Sequence, residues 1–159
     1  MTQESLDVFK RNYLVVGLPD NVVQEIAALA EEKTYSRGEA VIAKHQRTTD
    51  LFVILDGAVH VYNAVGDKLA EATPGAVIGE VSLVDDGPRS ADAIANGTVQ
   101  VAMLPGKELR AYMGSHREVG FMMLANLARV LSMRLRGINT FVEDQSLKPF
   151  DHWKYADRK

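Results

Sequence analysis

Apolar residues along this 159-residue chain change their spacing twice, and the changes mark out successive stretches. In residues 1–33, Val22, Val23, Ile26, Leu29 and Ala30 recur at helical intervals and make one apolar face. Asp20, just after Pro19, stands as the N-cap, with Gln24 near the capping-box position. Leu6, Phe9 and Leu14 belong to an earlier short helix or turn. From Thr34 the pattern shortens: Tyr35, Val41, Ile42, Leu51 to Leu55, Val59, Val61 and Tyr62 fall in short β-branched, aromatic or aliphatic runs. Turn signals separate them at Arg37-Gly38-Glu39, Thr48-Thr49-Asp50, Asp56-Gly57 and Val65-Gly66-Asp67. Lys68–Ala72 and Ala91–Leu104 continue the strands, so residues 34–104 predict an antiparallel barrel or sandwich.

Pro105 closes the strands, and residues 105–137 return to helical spacing. Lys107–Met113 predicts a short helix, broken by Gly114-Ser115; Ser115 and Glu118 then form a capping box for a long helix over 116–136, halted by Gly137. Val119, Met122, Met123, Leu124, Leu127, Val130, Leu131, Met133 and Leu135 cover more of this helix than one buried stripe needs. Two burial partners follow: the strands on one side and, on the other, a second subunit, which predicts a homodimer through 116–136. The tail 138–159 sets Phe141, Phe150, Trp153 and Tyr155 among charges and Pro149; a partly disordered terminus, a docking peptide and a strap over the strands all fit it.

Composition narrows the function classes. A hydrophobic content of 47% and a charged content of 25% are those of an ordinary globular domain. A net charge of −3 argues against a dominant nucleic-acid surface. With no cysteine there is neither disulfide nor thiol chemistry, which suits a cytoplasmic setting. The start lacks a signal-peptide pattern and no apolar run is long enough to span a membrane. The four histidines, at 45, 60, 116 and 152, show no pairing that would place two on one face of a strand or helix, so no metal site is expected. Asp85-Asp86, just before Gly87-Pro88, reads as a solvated helix end rather than a catalytic carboxylate pair.

The stretch from Gly75 to Ala93 carries the candidate chemistry. Gly79 sits where a Cβ would obstruct close approach of a ligand to the backbone. Glu80–Asp85 can form one or two helical turns whose free N–H groups favour an anion, phosphate above all. Gly87-Pro88 breaks that helix, and Arg89 returns to the same spot with a fixed charge and a planar fork of donors. Glu80 is an acid among anion donors, which makes sense when the ligand also offers a hydroxyl, as a ribose does.

Gly79, Glu80, Ser82, Pro88, Arg89, Ser90 and Ala91, in that order, closely resemble the phosphate-binding cassette of the cyclic-nucleotide-binding domain family, which includes the catabolite activator protein, kinase regulatory subunits and gated channels. The resemblance covers roughly residues 14–136. It implies a mainly β fold with flanking helices: a β-roll of jelly-roll type with N-terminal helices and a long C-terminal helix. Gln46 stands where many relatives carry glycine, so the turn there is expected to differ locally. The family reading gives Arg89 the cyclic phosphate and Glu80 the ribose 2′-hydroxyl. Backbone N–H groups near Val81 and Ser82, and the Ser90 hydroxyl, join the phosphate contacts beside Ala91. Ser90 equally suits a guanine contact, and cAMP is favoured over cGMP. On the long helix the resemblance puts Arg134 and Leu135 where the activator protein has small hydroxyl residues against adenine. Arg134 reads equally as a cation–π lid over the purine or as a solvated cation near a helix C-terminus.

A stand-alone sensor without enzyme activity or cofactor is therefore expected, signalling through repositioning of the long helix to an unknown effector protein. Only 22 residues follow Gly137, too few for a helix-turn-helix, so no DNA partner is expected. The alternatives are an orphan β-roll interaction module without ligand control and, more weakly, a cupin-like small-molecule enzyme.

Overall fold

A computed structural model describes the chain through Gln145, with side chains through Arg136. The chain divides into two compact units, Met1–Leu127 and Ala128–Lys159. The first unit opens with helix α1 (Gln3–Phe9), a 3₁₀ turn (Tyr13–Val15) and helix α2 (Asp20–Ala28). The Thr2 hydroxyl caps α1 by accepting from the Ser5 N–H, and the Asn12 side chain does the same for the 3₁₀ turn through Leu14. Asp20 is the first residue of α2 rather than its cap. Its carboxylate is drawn aside by Gln24 Nε2 at 2.8 Å and Lys10 Nζ at 2.7 Å.

Strands β1 (Glu31–Tyr35), β2 (Ala40–Ile42), β3 (Leu51–Asp56), β4 (Val59–Tyr62), β5 (Lys68–Ala72), β6 (Val77–Ile78), β7 (Asp92–Ala95) and β8 (Val99–Leu104) form two antiparallel sheets. Their orders are β1-β8-β3-β6 and β2-β7-β4-β5. The roll therefore begins at Glu31, inside the segment that periodicity assigns to the N-terminal helices, because Glu31 pairs with Met103. Both faces of β3 are covered. Phe52 and Ile54 join Val41, Ile42, Val59, Ile78, Ala93, Ala95, Val99 and Val101 between the sheets. Leu51, Val53 and Leu55 are buried on the opposite face, where α1 packs. Residues 51–55 are thus apolar at every position, which explains an unbroken run where a one-sided strand would alternate. In the loop before β3 the left-handed step falls on His45 (φ 69), one residue before Gln46.

Helix α3 (Glu80–Asp85) lies between β6 and β7, as the sequence predicts. After β8 come α4 (Gly106–Ser115) and α5 (Arg117–Gln145). Ser115 ends α4 instead of capping α5: its hydroxyl donates to the carbonyls of Ala111 (3.1 Å) and Tyr112 (3.0 Å). The Tyr112 hydroxyl donates to Glu25 at 2.7 Å and so joins α4 to α2; burial first, then Glu25, pushes that phenol up to about 12. Met123 and Leu127 of α5 are buried, and Asn126 Nδ2 donates to the carbonyls of Leu14 (3.1 Å) and Val16 (2.8 Å). Helix α5 does not halt at Gly137. One glycine costs about 1 kcal/mol in a helix, too little to stop a long one. The remainder of the tail, with Phe150 and Trp153, lies outside the described residues.

Candidate functional site

The predicted stretch folds as a strand, a left-handed corner, a short helix and a return loop. Strand β6 ends at Ile78, and Gly79 follows with φ 91, a conformation L side chains rarely adopt. The space around it is closed as well. A Cβ on Gly79 would stand 2.7 Å from Arg89 Nη1 and 2.7 Å from the Asp50 carbonyl oxygen. The sequence expects glycine here to admit a ligand. The atoms that crowd it belong to the protein itself, so its smallness seats Arg89.

Arg89 is only 3% exposed. Its Nε donates to Thr48 Oγ1 (3.0 Å), Nη1 to the Gly79 carbonyl (2.9 Å) and Nη2 to the Asp50 carbonyl (2.7 Å). The Phe52 ring lies below, 5.9 Å from Cζ to the ring centroid. The backbone is fixed too: the Arg89 N–H donates to Gln46 O (2.9 Å), and the His45 N–H to Arg89 O (3.0 Å). Burial pulls the guanidinium down from its ordinary value, and the nearby Asp50 charge opposes that pull. Each of the three hydrogen-bonded acceptors is neutral, so the positive charge is held without a carboxylate bonded to it. Three of the five N–H donors are engaged, one on each nitrogen.

Glu80 and Ser82, at 3% and 2% exposure, are buried with Arg89, whereas Val81 and Ser90 are exposed and Ala91 is half-buried. The structure thus brings Arg89 onto Gly79, with Glu80 and Ser82 buried in the helix that follows Gly79 and with Val81, Ser90 and Ala91 adjoining in the chain. Arg134 and Leu135 belong to the second unit, where both are exposed. Asp86 stands at the exposed end of α3, paired with Arg110. His60 bonds Glu71 at 2.8 Å on the β4–β5 hairpin. Among the described residues no three His, Asp or Glu side chains are placed to hold a metal ion.

Three contributors escape sequence reasoning. Thr48 and Asp50 lie 41 and 39 residues before Arg89, in a stretch whose composition signals only a turn. Asp50 also spans to α4, its Oδ1 accepting from the Gly106 N–H at 3.0 Å. Arg110 reaches α3 from α4, donating through Nη2 to the carbonyls of Ser82 and Leu83 and through Nη1 to Asp86. No local motif announces such contacts.

Residues 32–116 match the family model described as the cyclic nucleotide-binding domain. Glutaminase 1 of Bradyrhizobium diazoefficiens is 30% identical over 82% of this chain, which spans only 21% of that protein. The CRP-like cAMP-activated global transcriptional regulator of Mycobacterium tuberculosis is 24% identical over 87% of this chain and 62% of its own length. A crystal structure of a cyclic nucleotide-binding domain from Methylobacillus flagellatus superposes with a TM-score of 0.79 at 23% identity, covering 93% of this chain and 85% of that one.

Proposed function

The chain belongs to the cyclic nucleotide-binding domain family, and from that premise we propose that it is a sensor of cAMP whose occupancy is relayed through α5 to an effector protein. The observation that carries this reading is Arg89. Withdrawing a guanidinium from water costs about several kcal/mol, and here three neutral acceptors compensate it without cancelling its charge. Each of Nη1 and Nη2 has one further N–H beyond those bonds, and in this reading the mono-anionic phosphodiester of a cyclic nucleotide adds a negative charge and paired oxygens beside them. Backbone N–H groups at Val81 and Ser82 and the Ser90 hydroxyl complete the phosphate cradle, with Ala91 beside it, and Glu80 receives the ribose 2′-hydroxyl.

In this reading the chain itself performs no chemistry, and the cytoplasm is where it works. The cAMP preference draws support from the mycobacterial regulator, whose description names cAMP. Arg134 stacks on the base as a lid. Homodimerisation uses α5, where Phe121 is 74% exposed, Leu124 48% and Leu135 59%. Light scattering at tens of micromolar protein should give the mass of two chains, and a monomer with and without nucleotide would refute the dimer. No duplex DNA is bound.

The decisive measurement is calorimetry of the purified protein with cAMP and with cGMP. Saturable binding of cAMP, tighter than of cGMP, is expected. The burial of Arg89 also favours a second reading, since a guanidinium satisfied from within can seat the corner with no ligand at all. The domain would then be an interaction module without ligand control. Absence of heat with either nucleotide, in a folded sample, would select that reading.

A further inference from the structure

Helix α3 is six residues long, so most of its carbonyls have no intrahelical partner. The Gly87 N–H, just past the helix, donates to the Asp85 side chain, Oδ1 at 2.8 Å. Two of the carbonyls are met from another element. Arg110 of α4 donates through Nη2 to Leu83 O and to Ser82 O (3.2 Å), and through Nη1 to the Asp86 carboxylate. A cation on the C-terminal carbonyls of a helix also sits at the favourable end of its dipole. The planar fork fixes direction as well as distance, because it meets three acceptors of one helix end at once.

Helix α4 is bound to the same corner at its start. The Gly106 N–H donates to Asp50 Oδ1 at 3.0 Å, and the Asp50 carbonyl accepts from Arg89 Nη2 at 2.7 Å. A Cβ on Gly106 would lie 2.4 Å from the Thr49 carbonyl oxygen, so α4 begins pressed against that loop. One end of α4 therefore connects through Asp50 to Arg89, and a turn later Arg110 connects it to α3. Only His116 separates α4 from α5.

We propose that Arg110 is the positioning residue that makes α4 follow α3 when a nucleotide docks. Resting on the sensor reading above, the inference assigns the relay to one side chain that touches no ligand. A shift of α3 either carries Arg110 and α4 with it or breaks charge-assisted hydrogen bonds. Binding free energy spent on α3 thereby reaches the helix that leads into α5.

Hydrogen exchange with and without saturating cAMP tests this on wild type, Arg110→Ala and Arg110→Lys. In wild type, cAMP should slow exchange over residues 80–87 and over 107–115. In Arg110→Ala the apo exchange of 80–87 should rise roughly tenfold. Slowing of 80–87 by cAMP should persist there, while the cAMP-induced change over 107–115 should vanish. Lysine should restore part of that change, since an ammonium offers donors without the fork. A merely structural role would speed exchange in both states and leave their difference untouched. An Arg110→Ala difference over 107–115 equal to that of wild type therefore overturns the inference, as does cAMP binding to wild type with no change there. Should Arg110→Ala fail to fold, Arg110→Lys decides: a change smaller than in wild type supports the role, and an equal one refutes it. The wild-type binding isotherm separates this failure from that of the sensor reading, which falls, and takes the inference with it, only where cAMP does not bind.

Discussion

Arg89 and Arg110 grip opposite ends of α3, both through main-chain carbonyls, but what becomes of their charge differs. At the N-terminal end Arg89 is 3% exposed and bonded to neutral oxygens alone. At the C-terminal end Arg110 has a side chain 35% exposed, bonds two carbonyls and is paired with Asp86. The first arrangement keeps a positive charge out of water with the Asp50 charge nearby but no carboxylate bonded to it; the second pairs it with a carboxylate at the surface. Burial of an unneutralised cation is costly unless something anionic shares the site. The contrast therefore separates the arginine that the proposed function gives to the ligand from a bracing one by their acceptors, although both are arginines holding the same six-residue helix.

The comparison breaks most directly at Arg89. Arg89→Ala should cost about 2–5 kcal/mol of cAMP binding, on the order of 30- to several-thousand-fold in Kd. Lysine there should recover only part. Calorimetry that returns wild-type affinity for Arg89→Ala would remove the phosphate from this corner. Gly79→Ala comes next, with both a φ of 91 and a contact at 2.7 Å against it. A loss of about 1–3 kcal/mol in thermal denaturation is expected. Gly66→Ala is the control, because Gly66 has φ 88 but open space around its Cβ position. Equal losses in the two variants would mean that backbone strain, and not the seating of Arg89, sets the need for Gly79.

Glu80→Gln keeps the shape of a side chain 3% exposed and removes its charge. A loss of about 1.5–2 kcal/mol is expected, confined to ligands with a 2′-hydroxyl. If the ratio of cAMP to 2′-deoxy-cAMP affinity is unchanged by the substitution, Glu80 does not read the ribose. Arg134→Ala should weaken binding by about 0.5–2 kcal/mol, the worth of a partly exposed cation–π contact. Cyclic-AMP protection of residues 130–137 that survives intact in the variant would dismiss the lid. The smallest effect belongs to Asp86→Asn. Its carboxylate is 69% exposed, and loss of the pair should change stability by less than about 1 kcal/mol. A larger loss in urea denaturation would show that Arg110 holds α3 chiefly by charge and not through its carbonyls.

Much of this architecture was legible in local patterns. The switch from helical to short-run spacing, the stop at Pro105 and the helix Glu80–Asp85 all rest on preferences expressed within a few residues. The structure departs from local preference where that preference is weak and a partner elsewhere is stronger. Asp20 was expected to cap α2, yet Lys10 and Gln24 engage its carboxylate within the helix. Ser115 was expected to start α5, yet its hydroxyl turns back to the carbonyls of α4. Gly137 carries too small a penalty to end a helix by itself.

By itself the sequence determined the local build of this stretch: a glycine able to take φ 91, an acid and a serine two residues apart, and an arginine returned by Gly87-Pro88. These are neighbours in the chain, and their chemistry follows from residue type and spacing. Only the tertiary structure decided how the arginine is held and what the cassette is fastened to. Thr48 and Asp50 reach Arg89 across 41 and 39 residues, and Arg110 reaches Leu83 across 27. A guanidinium bonded to a main-chain carbonyl requires no particular residue at the acceptor, because every residue supplies that oxygen. Such contacts leave no signature in composition or period, and only the folded path of the chain determines which carbonyl an arginine meets.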